Sequence, residues 1–366
     1  MIGSIFLLYA IMMGWLILAK KPEREVAINA AQEPVSLIVV YRNEKNNLER
    51  LIKGVESQSI DKAKLELILV NDHSTDGSFE LIQELVKLSS LTLRHLYLEG
   101  EFGKKAGVCL GVQQASHELI LCTDADCDLP PNWAITMIRP FVNKEIQMVL
   151  GAVRLSGSSG WFKKLQKIEF STLMAITLLT CRRERAILSN GANYAFRKGA
   201  FEESKAYTNN LKINTGDDVF LLHALKRKFD KSCIVFSEKE SSVVDTPAKT
   251  SYTSFFEQRI RWASKSKNYK DRDTVKLGTI IFAANLSILW VFTGTLLQLY
   301  SLKFLIGCFM FKWVLDLLLV QQLPFFLRPL SMVKWTFILS ILYPLYSVGI
   351  ALLSLFYRPQ WKGRKI

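Results

Sequence analysis

The sequence predicts an α/β fold, a mostly parallel, doubly wound sheet with transmembrane helices at the N- and C-terminal ends of the chain. Three observations lead there. Apolar runs rich in β-branched residues alternate with helical patterns from Val35 to Asp128; Ile2–Ala19 holds 18 residues without a charge; and Leu277–Tyr300 holds 24 more. Strands that are apolar nearly throughout, with crossover helices between them, indicate a parallel sheet covered on both faces. Both charge-free stretches are long enough, as helices, to cross a hydrocarbon layer of about 30 Å. With 366 residues, 49% of them hydrophobic, the chain can form one large domain plus such segments.

The first stretch is followed, not preceded, by Lys20, Lys21 and Arg24, the wrong polarity for a cleaved export signal. It is expected to be an uncleaved anchor, residues 1–20, in a multi-pass protein of the cytoplasmic (inner) membrane whose soluble middle faces the cytosol. Strands are expected at "VSLIVVY" from Val35, "LELILVND" from Leu65, "LTLRHLYL" from Leu91 and "ELILCTDAD" from Glu118. Between them lie the helical patterns "NNLERLIKGVES" from Asn46, "GSFELIQELVKL" from Gly77 and "KKAGVCLGVQQA" from Lys104. This soluble domain is assigned to residues 34–265 and a C-terminal membrane region to 277–357. Within the latter, Leu302–Val320 carries Lys303, Lys312 and Asp316, and Trp335–Tyr357 is charge-free with Pro344 inside. Lys312 and Asp316 lie four apart and would neutralise one another on a helix. If every segment spans, the basic tail 358–366 falls outside, against the positive-inside rule, so the region holds two or three spans, with 302–320 interfacial or re-entrant in the first case.

The formal charge of +14 fits either nucleic acid or an anionic membrane surface with a phosphorylated substrate; the apolar spans favour the second, and no nucleic-acid partner is expected. Cys109, Cys122, Cys127, Cys181, Cys233 and Cys308 form no C-x-x-C pair and read as reduced packing residues. His73, His95, His117 and His223 are scattered, which argues against zinc.

Ligands of such sheets bind outside the carboxyl ends of the strands. That rim comprises Tyr41–Glu44, Asn71–Asp76 and Thr123–Asp128. In "DADCD", Asp124, Asp126 and Asp128 crowd three like charges at the end of a buried strand, which is costly unless a cation sits there. An EF-hand loop would need Gly and Glu where Leu129 and Ile135 stand, and is discarded. A phosphatase with Asp124 as nucleophile stays open, as do solvated loop carboxylates. "NDHSTDGS" closes the second strand with Asp72 and Asp76 before a helix, a geometry suited to a base or ribose edge or to simple capping. "GKK", with Lys104, sits at a helix N-terminus that favours phosphate. "TGDDVFLL" brings Asp217 and Asp218 into the start of another helix, and "QRIRW" sets Gln258, Arg261 and Trp262 on one helical face.

The order "ND..STDGS", "DAD", "GDD" and "QRIRW", between an N-terminal anchor and C-terminal spans, resembles the membrane-bound inverting glycosyltransferases of family 2. These have a GT-A nucleotide-sugar-binding fold, and the family includes cellulose, hyaluronan and poly-N-acetylglucosamine synthases and ceramide glucosyltransferase-like enzymes. The resemblance covers about residues 34–265. It implies that Asp72 contacts the base or ribose with Tyr41 and Glu44 nearby, that Asp126 binds a divalent cation, Mg²⁺ or Mn²⁺, and that Asp124 binds the ribose or the cation. Asp218 matches the catalytic base, Asp217 stands where many relatives have Glu, and Gln258, Arg261 and Trp262 match the motif over the donor diphosphate and acceptor entrance. "NGANYAFRKGAF", residues 190–201, resembles an acceptor-side loop. Asp128 has no family role and is expected to cap or orient the turn before Pro130 and Pro131.

The resemblance therefore implies transfer of a sugar from a nucleotide-sugar donor, UDP by family habit, to a membrane lipid or lipid-linked glycan in cell-envelope synthesis. Arg261 and Lys104 would supply charge for the leaving diphosphate. The alternatives are a processive polysaccharide synthase, the phosphatase, and a membrane-anchored binding protein with a degenerate transferase domain.

Overall fold

The computed structural model describes residues 2–21, 33–157, 160–207, 216–357, 360–362, 364 and 365. Its strands are β1 (Val35–Tyr41), β2 (Leu65–Asn71), β3 (Thr92–Tyr97), β4 (Leu119–Thr123), β5 (Met148–Gly151), β6 (Val153–Ser156), β7 (Asn193–Arg197), β8 (Ile234–Ser237) and β9 (Val244–Pro247). Its helices are α1 (Ile2–Ile17), α2 (Lys45–Glu56), α3 (Ser78–Leu88), α4 (Lys104–Gln114), α5 (Trp133–Ile138), α6 (Trp161–Arg182), α7 (Lys198–Ser204), α8 (Asp217–Lys228), α9 (Tyr252–Ser264), α10 (Arg272–Leu296), α11 (Leu302–Val320) and α12 (Met332–Phe356). The chain divides into two compact units, one of residues 22–156 and 188–247, the other of 1–21, 157–187 and 248–365.

In the first unit seven strands form one sheet in the order β3-β2-β1-β4-β7-β5-β8. β1 pairs in parallel with β2 and β4, and β2 with β3, as the alternation of patterns predicted. Every residue of β1, β2 and β4 is buried, while β3 at the edge alternates toward solvent. α2 covers the sheet with Leu48, Leu51, Ile52 and Val55, spaced to share one helical face. α4 lies unusually close because Gly107 and Gly111 face β1. A Cβ on either would stand 2.5 Å from Val40 Cγ1 or 2.6 Å from Ile38 Cγ2. That close approach holds the start of α4 beside the carboxyl ends of β1 and β4. β7, inside the segment expected only as a loop, is antiparallel to β4 and β5 and makes the sheet mixed. β6 and β9 form a separate two-stranded parallel ribbon.

The second unit gathers α1, α6 and α9–α12. The expected soluble boundary, 34–265, therefore does not coincide with a unit, because α6 and α9 group with the apolar helices. The lysines on α6 (Lys163, Lys164, Lys167) disguise this in the sequence, although 14 of its 22 residues are buried. Among the described residues, α10 and α12 are the helices long and apolar enough to cross a membrane. α1 is a shorter apolar helix of 16 residues, and α11, with its three charges, is not among the candidates. The expected pair on α11 is present: Lys312 Nζ lies 2.6 Å from Asp316 Oδ2, the Tyr9 hydroxyl donates to Asp316, and the ammonium sits 5.6 Å from the Tyr9 ring centroid. Arg24 and much of the basic tail lie outside the described residues, although Gln360–Trp361 pairs with Arg364–Lys365.

Candidate active site

The rim forms where β1, β2 and β4 end. Tyr41 closes β1 with its ring buried and its hydroxyl 2.8 Å from His95 Nε2; burial pushes the phenol well above its usual pKa. Glu44 stands before α2, its N–H donating to Ser78 Oγ (3.0 Å) and its carboxylate accepting from Asn47 Nδ2 (2.6 Å). Asp76 accepts from the Lys45 and Ser78 N–H groups, so it fastens the start of α3 in the way a capping acid does. Asp72 is fully buried. Its Oδ2 accepts from the Gly103 N–H at 3.2 Å and its Oδ1 lies 3.2 Å from His73 Nδ1. The carboxylate expected at the base or ribose thus faces His73 and the start of α4.

After β4, the D-x-D turn leaves the sheet. Asp124 and Asp126 are partly exposed, with 41% of the Asp124 side chain accessible. Of the two expectations for Asp128, capping or orienting the turn, the contacts correspond to the second. Its carboxylate pairs with Arg50 Nε of α2 at 3.1 Å, and its backbone makes two hydrogen bonds to Asp245 of β9. Arg50 also donates to the Asp126 carbonyl (3.2 Å), and Arg154 holds Asp245 through two 2.7 Å bonds. The third acid therefore ties the turn to its frame. Cys122 and Cys127 are buried beside it, and burial pushes the Cys122 thiol up to about 12, in keeping with packing.

Lys104, the first lysine of "GKK", turns its ammonium onto two carboxylates and a carbonyl. Its ammonium reaches Asp124 Oδ1 at 2.7 Å, the Gly191 carbonyl at 2.6 Å and Asp217 Oδ2 at 3.4 Å. Burial disfavours its charge, but the two carboxylates outweigh this and hold the amine above the usual lysine pKa. A side chain on Gly191 would place its Cβ 2.8 Å from that amine. Asp217 and Asp218 open α8 and are both buried, after Gly216 in the left-handed region (φ 84°). Tyr194 donates to Asp217 Oδ2 at 3.0 Å and Tyr207 to its carbonyl at 2.7 Å. The "DAD" and "GDD" motifs, far apart in sequence, thus share one cation.

Asp124 and Asp126 offer oxygen donors alone, which suits a hard divalent ion that takes one or two carboxylates and completes its shell from phosphate and water. Among the described residues no three His, Cys, Asp or Glu side chains converge as a closed metal site. The residues fit a cation bound together with a diphosphate.

Sequence reasoning missed Asn193 in the first unit. Its buried amide donates to the carbonyls of Ala152 and Ser242, both at 2.7 Å, and accepts from Trp133 Nε1 at 2.9 Å, joining three segments behind the turn. It also missed Arg259 and Glu169 in the second unit. Arg259 is buried on α9, its Nη2 2.6 Å from Glu169 Oε2 on α6, and the Tyr346 hydroxyl donates to the same carboxylate at 2.7 Å. Gln258 Oε1 accepts from Arg259 Nη1 (2.6 Å), and the Arg259 guanidinium lies 4.4 Å from the Trp262 ring centroid. Gln258 and Trp262 thus gather around the arginine between them, while Arg261 is half-buried on the same helix. The only signal was the first arginine of "QRIRW"; its partner ninety residues earlier left none.

A family model described as glycosyl transferase family 2 matches residues 36–205. The chain is 24% identical over 320 residues to a poly-beta-1,6-N-acetyl-D-glucosamine synthase of Staphylococcus epidermidis, covering 81% of this chain and 73% of that one. A synthase of the same description from Staphylococcus aureus is 24% identical over 293 residues, covering 75% and 66%. A mannosyltransferase from Pyrobaculum calidifontis, solved in complex with GDP-mannose and Mn²⁺, shares the fold with a TM-score of 0.66 at 17% identity, over 97% of this chain and 96% of that one. The matched segment contains the rim, the D-x-D turn and β7, the chain has a GT-A fold, and over that segment it resembles the glycosyltransferases of family 2.

Proposed function

We propose that this chain transfers a sugar from a nucleoside-diphosphate sugar, with UDP as the nucleotide, to a membrane lipid or lipid-linked glycan in cell-envelope synthesis. The observation that carries the reading is Lys104, which draws Asp124 of the D-x-D turn and Asp217 of α8 around one ammonium. Asp126 and Asp124 would hold Mg²⁺ or Mn²⁺, and that ion would neutralise charge developing on the leaving diphosphate. Asp218 acts as general base. It takes the proton of the acceptor hydroxyl while the hydroxyl oxygen bonds to the anomeric carbon and the bond to the diphosphate breaks, so an α-linked donor gives a β-linked product. Asp217, held by Tyr194 and next to Lys104, keeps the start of α8 in register with the turn. Gln258, Arg261 and Trp262 act at the diphosphate and acceptor entrance, with Arg259 fixing two of them.

The relatives named as poly-beta-1,6-N-acetyl-D-glucosamine synthases favour a second reading, repeated transfer to a growing polysaccharide. Among the described residues two helices are long and apolar enough to cross a membrane, and we take the single transfer as the first reading because a secretion channel for a polymer needs more membrane-crossing surface. Membranes containing the protein, offered radiolabelled nucleotide sugars with Mg²⁺ or Mn²⁺ and extracted lipids, should give one short, lipid-extractable product. Long chains from the purified protein would sink the single-transfer reading, and an Asp218→Asn variant as fast as wild type would sink the assigned base. Trapping of an aluminium or beryllium fluoride adduct at Asp124 would instead favour the phosphatase.

A further inference from the structure

We infer that the adjoining starts of α6 and α12 form a binding site for the phosphate of an anionic phospholipid, with Lys163, Lys164 and Lys334 as its cations and Trp335 as the ring that gathers them. The lipid it takes is neither the donor nor the acceptor of the sugar transfer.

α6 begins Trp161, Phe162, Lys163, Lys164, and α12 begins Met332, Val333, Lys334, Trp335. The two starts meet at one indole, because Lys164 Nζ lies 5.5 Å and Lys334 Nζ 6.0 Å from the Trp335 ring centroid. Further along, the Tyr346 hydroxyl of α12 donates to Glu169 of α6, so both helices run from this corner in the same sense and set their N-termini side by side. An N-terminus is the positive end of the helix dipole, where acids stabilise and lysines destabilise. Neither first turn holds an acid, and together they hold three lysines. That arrangement works against helix stability and suits an anion from outside the chain.

The backbone points the same way. Neither helix start is closed by a side chain. Gly160 precedes α6 at φ 96°, and Ser331 precedes α12 in the left-handed region at φ 56°. Serine is among the residues that ordinarily cap a helix, yet this one makes no cap bond, so first-turn N–H groups at both starts are left for an external acceptor. A phosphate supplies both the charge and several acceptor oxygens.

The surroundings decide where that phosphate comes from. α12 is long and apolar enough to cross a membrane, and the ends of such helices lie at headgroup depth, where Trp and Lys concentrate. Trp161, Leu330 and Val333, close to the lysines in the chain, are large exposed apolar side chains that an acyl chain would cover and a free phosphate would leave in water. Each lysine at such a surface strengthens the hold on an anionic lipid by about 5-fold.

Full-length protein in a neutral detergent would be titrated with short-chain phosphatidylglycerol, short-chain phosphatidylcholine and inorganic phosphate, read by calorimetry and by melting temperature. Wild type should bind phosphatidylglycerol at least about 10-fold more tightly than phosphatidylcholine. Lys164→Gln combined with Lys334→Gln should weaken phosphatidylglycerol by about 25-fold and leave phosphatidylcholine within about 2-fold. Without lipid this variant should melt no lower than wild type, because it takes two cations off positive helix ends. Lys164→Arg combined with Lys334→Arg should keep the wild-type preference. A glutamine double variant that binds phosphatidylglycerol as wild type does, or that melts lower than wild type whatever is added, would overturn the site. Inorganic phosphate bound as tightly as phosphatidylglycerol would overturn the lipid as its occupant.

Discussion

Replacing Lys104 by Met tests the shared cation directly. The substitution keeps an unbranched stem of similar length and removes the charge from between Asp124 and Asp217. Removing one partner of a buried ion pair costs about 3–5 kcal/mol. Asp217 is 7% exposed and bears most of that cost, whereas Asp124, 41% exposed, is screened by water, so roughly 3 kcal/mol is expected. For a unit of this size that is about 6–12 °C of melting temperature, read by intrinsic fluorescence on detergent-solubilised protein. The sign with pH also follows. A lysine whose folded pKa is raised contributes stability that is present in full below its unfolded pKa and is lost only as pH rises through the folded value. The gap between wild type and Lys104→Met should therefore stay constant from about pH 6 to about pH 10. Adding Mn²⁺ with UDP should narrow the gap, because a divalent ion can neutralise the carboxylates that the lysine leaves behind. A gap below about 2 °C, or one that Mn²⁺ and UDP leave unaltered, would refute the view that Lys104 stands in the place of a cation.

Other expectations concern the supports of the two motif-bearing units. Glu169→Gln should destabilise by about 3–5 kcal/mol in chemical denaturation, because Arg259 then keeps its charge in a buried place without a carboxylate; a Glu169→Met, Arg259→Met double variant should be more stable than either single change. Asn193→Ala leaves two carbonyls and an indole N–H without their partner, at about 1–3 kcal/mol for each group left unpaired, and should lower the denaturation midpoint without altering the slope.

What the sequence disclosed tracks the range over which each feature is specified. β1, β2 and β4 are legible because burial on both faces needs apolar residues throughout, and α2 because its buried face needs Leu48, Leu51, Ile52 and Val55 at helical spacing. β7 was not legible, since five residues between "NGA" and "KGA" give too short a pattern to separate strand from loop. α6 was not legible for another reason: its lysines interrupt the apolar pattern, and only the packing reveals how much of the helix is buried. Among the site residues the acids could be found by type and order, because chemistry needs carboxylates there. Their partners could not. Nothing in the local sequence separates Lys104 from Lys105, yet the first joins Asp124 and Asp217 while the second lies with its amine 4.1 Å from the Phe220 ring centroid.

The three acids of "DADCD" raise the energetic problem most sharply, and the structure divides it among unlike solutions. Asp128 is stabilised by an exposed arginine, Arg50, and by backbone bonds to β9, so its charge is half in water and needs no further compensation. Asp126 contributes its carbonyl to the same arginine and its Oδ1 accepts from the Cys127 thiol at 3.8 Å, so a ligand there would add to contacts that the residue already makes. Asp124 is matched by Lys104. A divalent ion drawn to Asp124 and Asp126 therefore meets a positive charge already 2.7 Å from one of its donors, and repulsion between the two cations must be offset by something negative. The diphosphate of a donor is of the right charge to do so, which makes cation and nucleotide binding mutually dependent: each should be weak alone and strong in the presence of the other.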